Sequence, residues 1–166
     1  GFLQPNPIGM PWQRLSIDIT GPHPKSNSGN KYMLTVMDLF SKFAFAFPIR
    51  NHLAYTIAKK LVNDVFAYYG VPLEIITDNS ADFQGQLMTE LCRMLEIRKL
   101  RTTVYKPSSN PVERMHKTIN TLLGKVVRQD QRDWDQKIAF VMAAYRSSKH
   151  SATNFSPNFL ILGRET

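Results

Sequence analysis

The spacing of apolar residues divides the chain into an early part of short strands and a later part in which helices predominate. Leu15-Ser16-Ile17-Asp18-Ile19 alternates apolar and polar positions as a half-buried strand does, predicting a strand over 15–20. Tyr32-Met33-Leu34-Thr35-Val36 and Phe43-Ala44-Phe45-Ala46-Phe47 are rich in β-branched and aromatic residues and lie between turn formers, so strands are predicted over 32–38 and 43–49. Ala54, Ile57, Leu61, Val65 and Tyr69 then recur at helical spacing, and Gly70-Val71-Pro72 stops that helix. The run Leu73-Glu74-Ile75-Ile76-Thr77 predicts a short strand with Asp78 at its carboxyl end.

Beyond Asp78 the pattern predicts a helix near 83–95 with Leu87, Leu91 and Met94 inward, and a strand near 97–102. Thr103 to Ser109 is polar and carries Pro107, which predicts a mobile loop. Asn110 is the expected cap of a helix running from Pro111 to about residue 129, with an apolar stripe at Val112, Met115, Ile119, Leu122 and Val126. A last helix over about 134–148 turns Ile138, Val141 and Tyr145 to one face. Three strands followed by alternating helix and strand is an α/β order.

Composition narrows the class. At 166 residues and 43% hydrophobic, the chain is expected to form one globular domain, and no apolar run approaches the roughly 20 residues of a membrane span. The opening Gly1-Phe2-Leu3-Gln4-Pro5 does not read as a signal peptide. Cys92 is the sole cysteine, which excludes intrachain disulfides and a zinc site built on paired cysteines. The net charge of +8 matters through its placement: residues 1–97 hold eight basic and eight acidic side chains, whereas 98–149 hold twelve Lys or Arg against Glu113, Asp130, Asp133 and Asp135. A basic surface beside carboxylates suits a polyanion, although a solvated helical face accounts for the same charge.

Three carboxylates are the candidate catalytic and metal-ligating residues: Asp18 on the first strand, Asp78 at the end of the fourth, and Glu113 in the first turn of a helix. Thirty-four residues, 79–112, separate the last two. Each has a structural alternative. Asp18 alone reads as a solvent-facing strand residue, and Asp78 as a turn or helix cap. Glu113 has the spacing of a reciprocal capping box with Asn110, and a glutamate turned back onto its own helix cannot also face two aspartates. Clustered carboxylates repel unless a cation neutralises them, and all-oxygen ligation favours Mg²⁺ or Mn²⁺ over zinc.

The neighbourhoods of these residues carry a resemblance. Pro11-Trp12, Ile17-Asp18, the run from Tyr32 through Asp38-Leu39-Phe40-Ser41-Lys42-Phe43, Gly70-Val71-Pro72, Thr77-Asp78-Asn79, Tyr105-Lys106-Pro107, Ser109-Asn110, Val112-Glu113-Arg114, Ser156-Pro157 and Leu162-Gly163-Arg164 occur in the order seen in retroviral-type integrases. The chain resembles their catalytic core, and in wording most nearly that of gypsy-class LTR retrotransposons. The resemblance implies a ribonuclease H-like α/β fold, a five-stranded mixed sheet flanked by helices. It also implies one integrase catalytic core domain over 1–166, with the family's zinc-binding N-terminal domain and its C-terminal domain absent from this chain. Four positions depart from the pattern. Ser80 stands where Gly is usual, the segment Asn110-Pro111-Val112-Glu113 is one residue shorter than Asn-Gly-x-x-Glu, Lys106 replaces a His, and His116 replaces an Asn. Loss of the Gly implies a stiffer loop before Glu113.

From the same resemblance follow the functional expectations. The protein is expected to be a divalent-metal-dependent nuclease and polynucleotidyl transferase that trims the 3′ ends of element DNA and joins them to target DNA. Two Mg²⁺ or Mn²⁺ ions per site are expected on Asp18 as bridging ligand and on Asp78 and Glu113 as flanking ligands. Lys106, Asn110, Arg114 and Lys117 are expected around the DNA phosphates; Lys117, four residues past Glu113, is placed either to hold DNA or to pair with the glutamate. Element and target DNA and further copies of the chain are the expected partners, with no membrane. The expected location is the nucleus, or a retroelement particle before nuclear entry. A catalytically silent, domesticated integrase-like module for DNA binding or assembly is the alternative, and a metal-dependent nuclease of the same fold is another. His116 forms a Glu-x-x-His pair with Glu113, but a di-iron bundle site needs two such pairs. His23, His52 and His150 read as surface residues, Ser151 and Ser156 lack the surroundings of an activated nucleophile, and Cys92 reads as a core or boundary residue.

Overall fold

Five strands form one mixed sheet in the order β3-β2-β1-β4-β5, in a computed structural model that describes residues 7–101 and 111–164. β1 (Arg14–Thr20), β2 (Tyr32–Asp38) and β3 (Ala44–Ile49) run antiparallel, matching the three stretches predicted as strands, and β4 (Glu74–Thr77) and β5 (Arg98–Arg101) join parallel to β1. Pro48 is tolerated in β3 because that strand is an edge. The helix expected over 54–69 is continuous. It comprises α1 (Ala54–Lys60), a π-helical segment Leu61–Phe66 and α2 (Ala67–Tyr69), and it ends at Gly70 with φ of 90°. α3 (Ala81–Gln84), α4 (Gln86–Met94), α5 (Pro111–Val126), α6 (Trp134–Ser147) and α7 (Pro157–Leu162) follow.

Both faces of the sheet are covered, and β2 and β3 accordingly carry apolar residues on both sides. Leu15, Ile17, Leu34, Val36, Phe43 and Phe45 pack with Ile57, Leu61 and Val65 of the first helix and with Met88 and Cys92 of α4. On the opposite face Met33, Met37, Ala44 and Ala46 meet Met115 and Ile119 of α5 and Trp134, Ile138, Val141 and Tyr145 of α6. The small side chains of Ala44 and Ala46 leave room for α6 on β3.

Two elements differ from expectation. In α4, Leu87 and Met94 are 44% and 71% exposed, whereas Met88 and Cys92 are 0% and 4% exposed. The inward stripe is Met88, Leu91, Cys92 and Leu95, with i, i+3, i+4, i+7 spacing. α7 was not anticipated: Ser156 Oγ accepts the Phe159 N–H at 3.1 Å, Pro157 opens the first turn, and Gly163 closes it at φ of 73°. The loop expected over 103–109 lies outside the described residues.

Candidate active site

A buried ion pair sets the strand register on which the site depends. Glu74 takes Arg14 of β1 at 3.0 Å through one oxygen and Arg98 of β5 at 3.4 Å through the other, joining three neighbouring strands at one level. β1 and β4 then pair as Arg14 with Glu74, Leu15 with Ile75 and Ser16 with Ile76. Asp18 and Asp78 stand two positions further along in that same register, so both occupy the carboxyl-end side of adjacent parallel strands. Their charges interact. Burial raises the Asp18 pKa, the His116 ring and the Ile19 N–H oppose that shift, and the Asp78 charge adds to it.

Local hydrogen bonds orient each aspartate. Asp18 Oδ1 accepts the Ile19 N–H at 2.9 Å, and Oδ2 lies 3.8 Å from His116 Nδ1. Asp78 is exposed; its Oδ1 accepts the Ser80 N–H at 2.9 Å, and its carbonyl accepts Gln84 Nε2 at 2.9 Å. Ser80 stands at φ of −63°, so the position where the family pattern has glycine makes no left-handed demand in this chain.

His116 is the site residue that sequence reasoning passed over. Its Nε2 lies 2.9 Å from Thr35 Oγ1, and Thr35 is the cross-strand partner of Asp18. The ring therefore docks α5 on the β1–β2 pair directly beside the aspartate. Burial lowers its pKa, with Asp18 opposing. The available signal was its place three residues after Glu113, on one helical face.

Glu113 is exposed in the first turn of α5, one turn nearer the helix start than His116. No ion pair joins it to Lys117 among the described residues, so the pairing alternative for that lysine is not what the structure shows. Asp18, Asp78 and His116 are brought together by charge and contact. Among the described residues no three His, Cys, Asp or Glu side chains form a metal-holding group, and Glu113 is not drawn onto the two aspartates. Two interacting carboxylates, one with its ionisation hindered mainly by burial and further by the other's charge, are nevertheless an oxygen donor set suited to a hard divalent cation. Arg114 and Lys117 are exposed on α5, and Lys106 and Asn110 lie outside the described residues.

A depression of about 190 Å³ beside Asp78 is lined by Ile19, Tyr32, His52, Ser80 and Asp82, with His52 Nδ1 paired to Asp82 Oδ2 at 2.8 Å. His23 is half-buried rather than a surface residue, its ring centroid 5.3 Å from that of Trp134. A larger cavity of about 460 Å³ next to that pair, at the carboxyl end of α5, has no carboxylate in its lining and is remote from the chemistry.

The integrase core domain model matches residues 9–107. The chain is 30% identical over 154 residues to the retrovirus-related Pol polyprotein from transposon 412 of Drosophila melanogaster, covering 92% of this chain and 12% of that polyprotein. It is 29% identical over 157 residues to Gypsy retrotransposon integrase-like protein 1 of Rattus norvegicus, covering 95% of this chain and 30% of that protein. It thus spans less than a third of the length of either relative. Among solved structures, the HTLV-2 integrase catalytic core domain in complex with magnesium, in a trimeric form, superposes with a TM-score of 0.70 at 21% identity, covering 92% of this chain and 97% of that one. At that identity the likeness shows the fold, which is the ribonuclease H-like fold expected from the resemblance. Among the described residues no helix is long and apolar enough to cross a membrane. With the family model matched over residues 9–107 and the five-stranded sheet in place, the chain belongs to the integrase core domain family.

Proposed function

We propose that the chain is the catalytic core of a DNA-integrating enzyme that trims the 3′ ends of an element and joins them to target DNA. The observation that supports this reading is the matched placement of Asp18 and Asp78 on neighbouring parallel strands, with α5, the helix that carries Glu113, docked beside Asp18 through His116 and Thr35. Asp18, Asp78 and Glu113 would hold two Mg²⁺ or Mn²⁺ ions. When bound, such ions supply Lewis-acid activation of a phosphodiester and of its attacking oxygen. The chain's own residues position the reaction. Thr35 and His116 fix the Asp18 carboxylate, Ser80 and Gln84 fix the Asp78 turn, and Arg114 and Lys117, with Lys106 and Asn110, hold the phosphates of the strand. Water is the nucleophile in trimming and a DNA 3′-hydroxyl in joining, with no covalent protein intermediate.

Element ends, target DNA and further copies of the chain are the proposed partners, and the nucleus, or a retroelement particle before nuclear entry, the proposed location. Similarity to proteins named integrase-like supports a second reading, a silent DNA-binding or assembly module. A strand-transfer assay on the full-length parent protein with Mg²⁺ separates the two. Joined product that disappears in Asp78→Asn supports the enzyme; DNA binding without joining under any divalent metal supports the module.

A further inference from the structure

The first turn of α5 borders a second feature that the carboxylates do not use. A cavity of about 400 Å³ is lined by Arg114, Thr118, Ser148, Lys149, His150 and Ser151 among others, with no carboxylate among its described lining residues. Tyr145, also in the lining, donates its hydroxyl to the Lys42 carbonyl at 3.0 Å, which brings the β2–β3 turn alongside. Positive charge is crowded there. Burial lowers the His150 pKa, and Lys42 and Arg114 lower it further; burial lowers the Lys42 pKa, Asp38 opposes, and Arg114 adds to the fall. Asp38, the acid that opposes the fall at Lys42, is already occupied by the N–H groups of Trp12, Phe40 and Ser41 and by the Ser41 hydroxyl. Among the described residues neither Arg114 nor Lys149 has an ion-pair partner.

Like charges held together without a counter-ion repel, and an anion from outside relieves that repulsion. The donors are suitable even at neutral pH. His150 Nδ1 accepts the Ala152 N–H at 3.1 Å, which assigns the proton of the neutral ring to Nε2 and leaves an N–H to offer. Arg114 adds a guanidinium fork, Lys149 an ammonium and Ser151 a hydroxyl, the combination that phosphate oxygens accept from. Arg114 directly follows Glu113, so the cavity and the third carboxylate share one helical turn.

We propose that this cavity is a phosphate site that seats a phosphodiester neighbouring the reacting one on the DNA strand bound at Asp18, Asp78 and Glu113. The inference rests on the proposed function, because it takes the strand to lie at those carboxylates. Its own content is the location: Lys149, His150 and Ser151, past the end of α6, extend the DNA contact beyond α5.

The test compares two charge-matched double variants of the full chain, folded by circular dichroism, binding a duplex oligonucleotide across a salt series. Arg114→Ala with Lys149→Ala should reduce the slope of log K against log salt by about one unit, the contribution of the one phosphate that the cavity seats. Lys59→Ala with Lys125→Ala removes equal charge from exposed positions outside the cavity and should leave the slope unchanged. Equal slopes for the two variants overturn the proposal in favour of a diffuse field. Should the first variant fail to fold, Lys149→Glu, a change at an exposed position, must lower the slope on its own, and a wild-type slope overturns the site. Inorganic phosphate that shifts the Lys149 and Ser151 amide resonances saturably, while both double variants keep the wild-type DNA slope, also overturns it, leaving a small-anion site. A wild-type chain that binds no DNA refutes the proposed function instead, which keeps the two failures distinct.

Discussion

Replacing Asp18 by Asn should stabilise the metal-free protein and remove the stabilisation that divalent metal confers. Burial and the Asp78 charge raise the Asp18 pKa above its ordinary value of 3.8, so the folded state disfavours the ionised form. The penalty is present where Asp18 is charged in the folded protein and vanishes below the unfolded value, where both states are protonated. At 4 Å, unit charges interact by about 1 kcal/mol in water and about 4 kcal/mol at an effective dielectric of 20. The Asp18 side chain is 36% exposed, which screens the interaction, and the variant forfeits the opposing pull of His116. A net gain of roughly 1 kcal/mol remains, which for a domain of this length is about 2–4 °C in Tm. The Asn side chain keeps an oxygen to accept the Ile19 N–H, so the change is confined to charge. Thermal unfolding followed by circular dichroism in EDTA at pH 7.5 should show the variant melting higher, with the gap closing toward pH 4. In Mg²⁺ at ten times its dissociation constant the wild type should gain about 1.4 kcal/mol and the variant almost none. A variant that melts lower than wild type in EDTA at pH 7.5, or that gains as much from Mg²⁺, would refute the shared-carboxylate site.

Asp18→Asn and Asp78→Asn should each abolish strand transfer while leaving duplex affinity within about twofold, since an amide keeps shape and loses the charge that holds metal; retained joining in either would remove that residue from the mechanism. Replacing Arg114 and Lys117 together by Ala should flatten the salt dependence of DNA binding by about one or two units, and an unchanged slope with lost stability would make both side chains structural. Ile119→Ala, at a fully buried position between α5 and the sheet, should cost about 2–5 kcal/mol by urea unfolding, and a cost below about 1 kcal/mol would contradict the packing of α5 on β2.

Much of the fold was legible because β1 alternates, β2 and β3 are β-branched and aromatic runs between turn formers, and α5 carries a single apolar stripe. β2 falls on the expected residues, and α5 buries Met115 and Ile119 as its spacing requires. α4 was misread because the helix carries two overlapping apolar rows. Leu87 and Met94, seven apart, share a face as convincingly as Met88, Leu91, Cys92 and Leu95, and only the packing partner decides which row turns inward. α7 has six residues, too few for periodicity to register, although its ends are written plainly in Ser156-Pro157 and Gly163.

The site was legible as a set of residues and not as an arrangement. Asp18 and Asp78 meet because a buried glutamate, Glu74, ties Arg14 and Arg98 across three strands, and in sequence those charges look like the solvent-facing positions of alternating strands. His116 meets Thr35 across 81 residues, a pairing that local spacing cannot announce. In sequence His116 made one Glu-x-x-His pair, one too few for a di-iron site, and a departure from the family's Asn. The fold makes it a contact between α5, the helix that carries Glu113, and the β1–β2 pair beside Asp18. A residue that touches one carboxylate and is carried by the helix of another ties the two placements together. That is why the departure from the family pattern at position 116 bears on the site more directly than the one at Ser80, where the backbone needs no glycine.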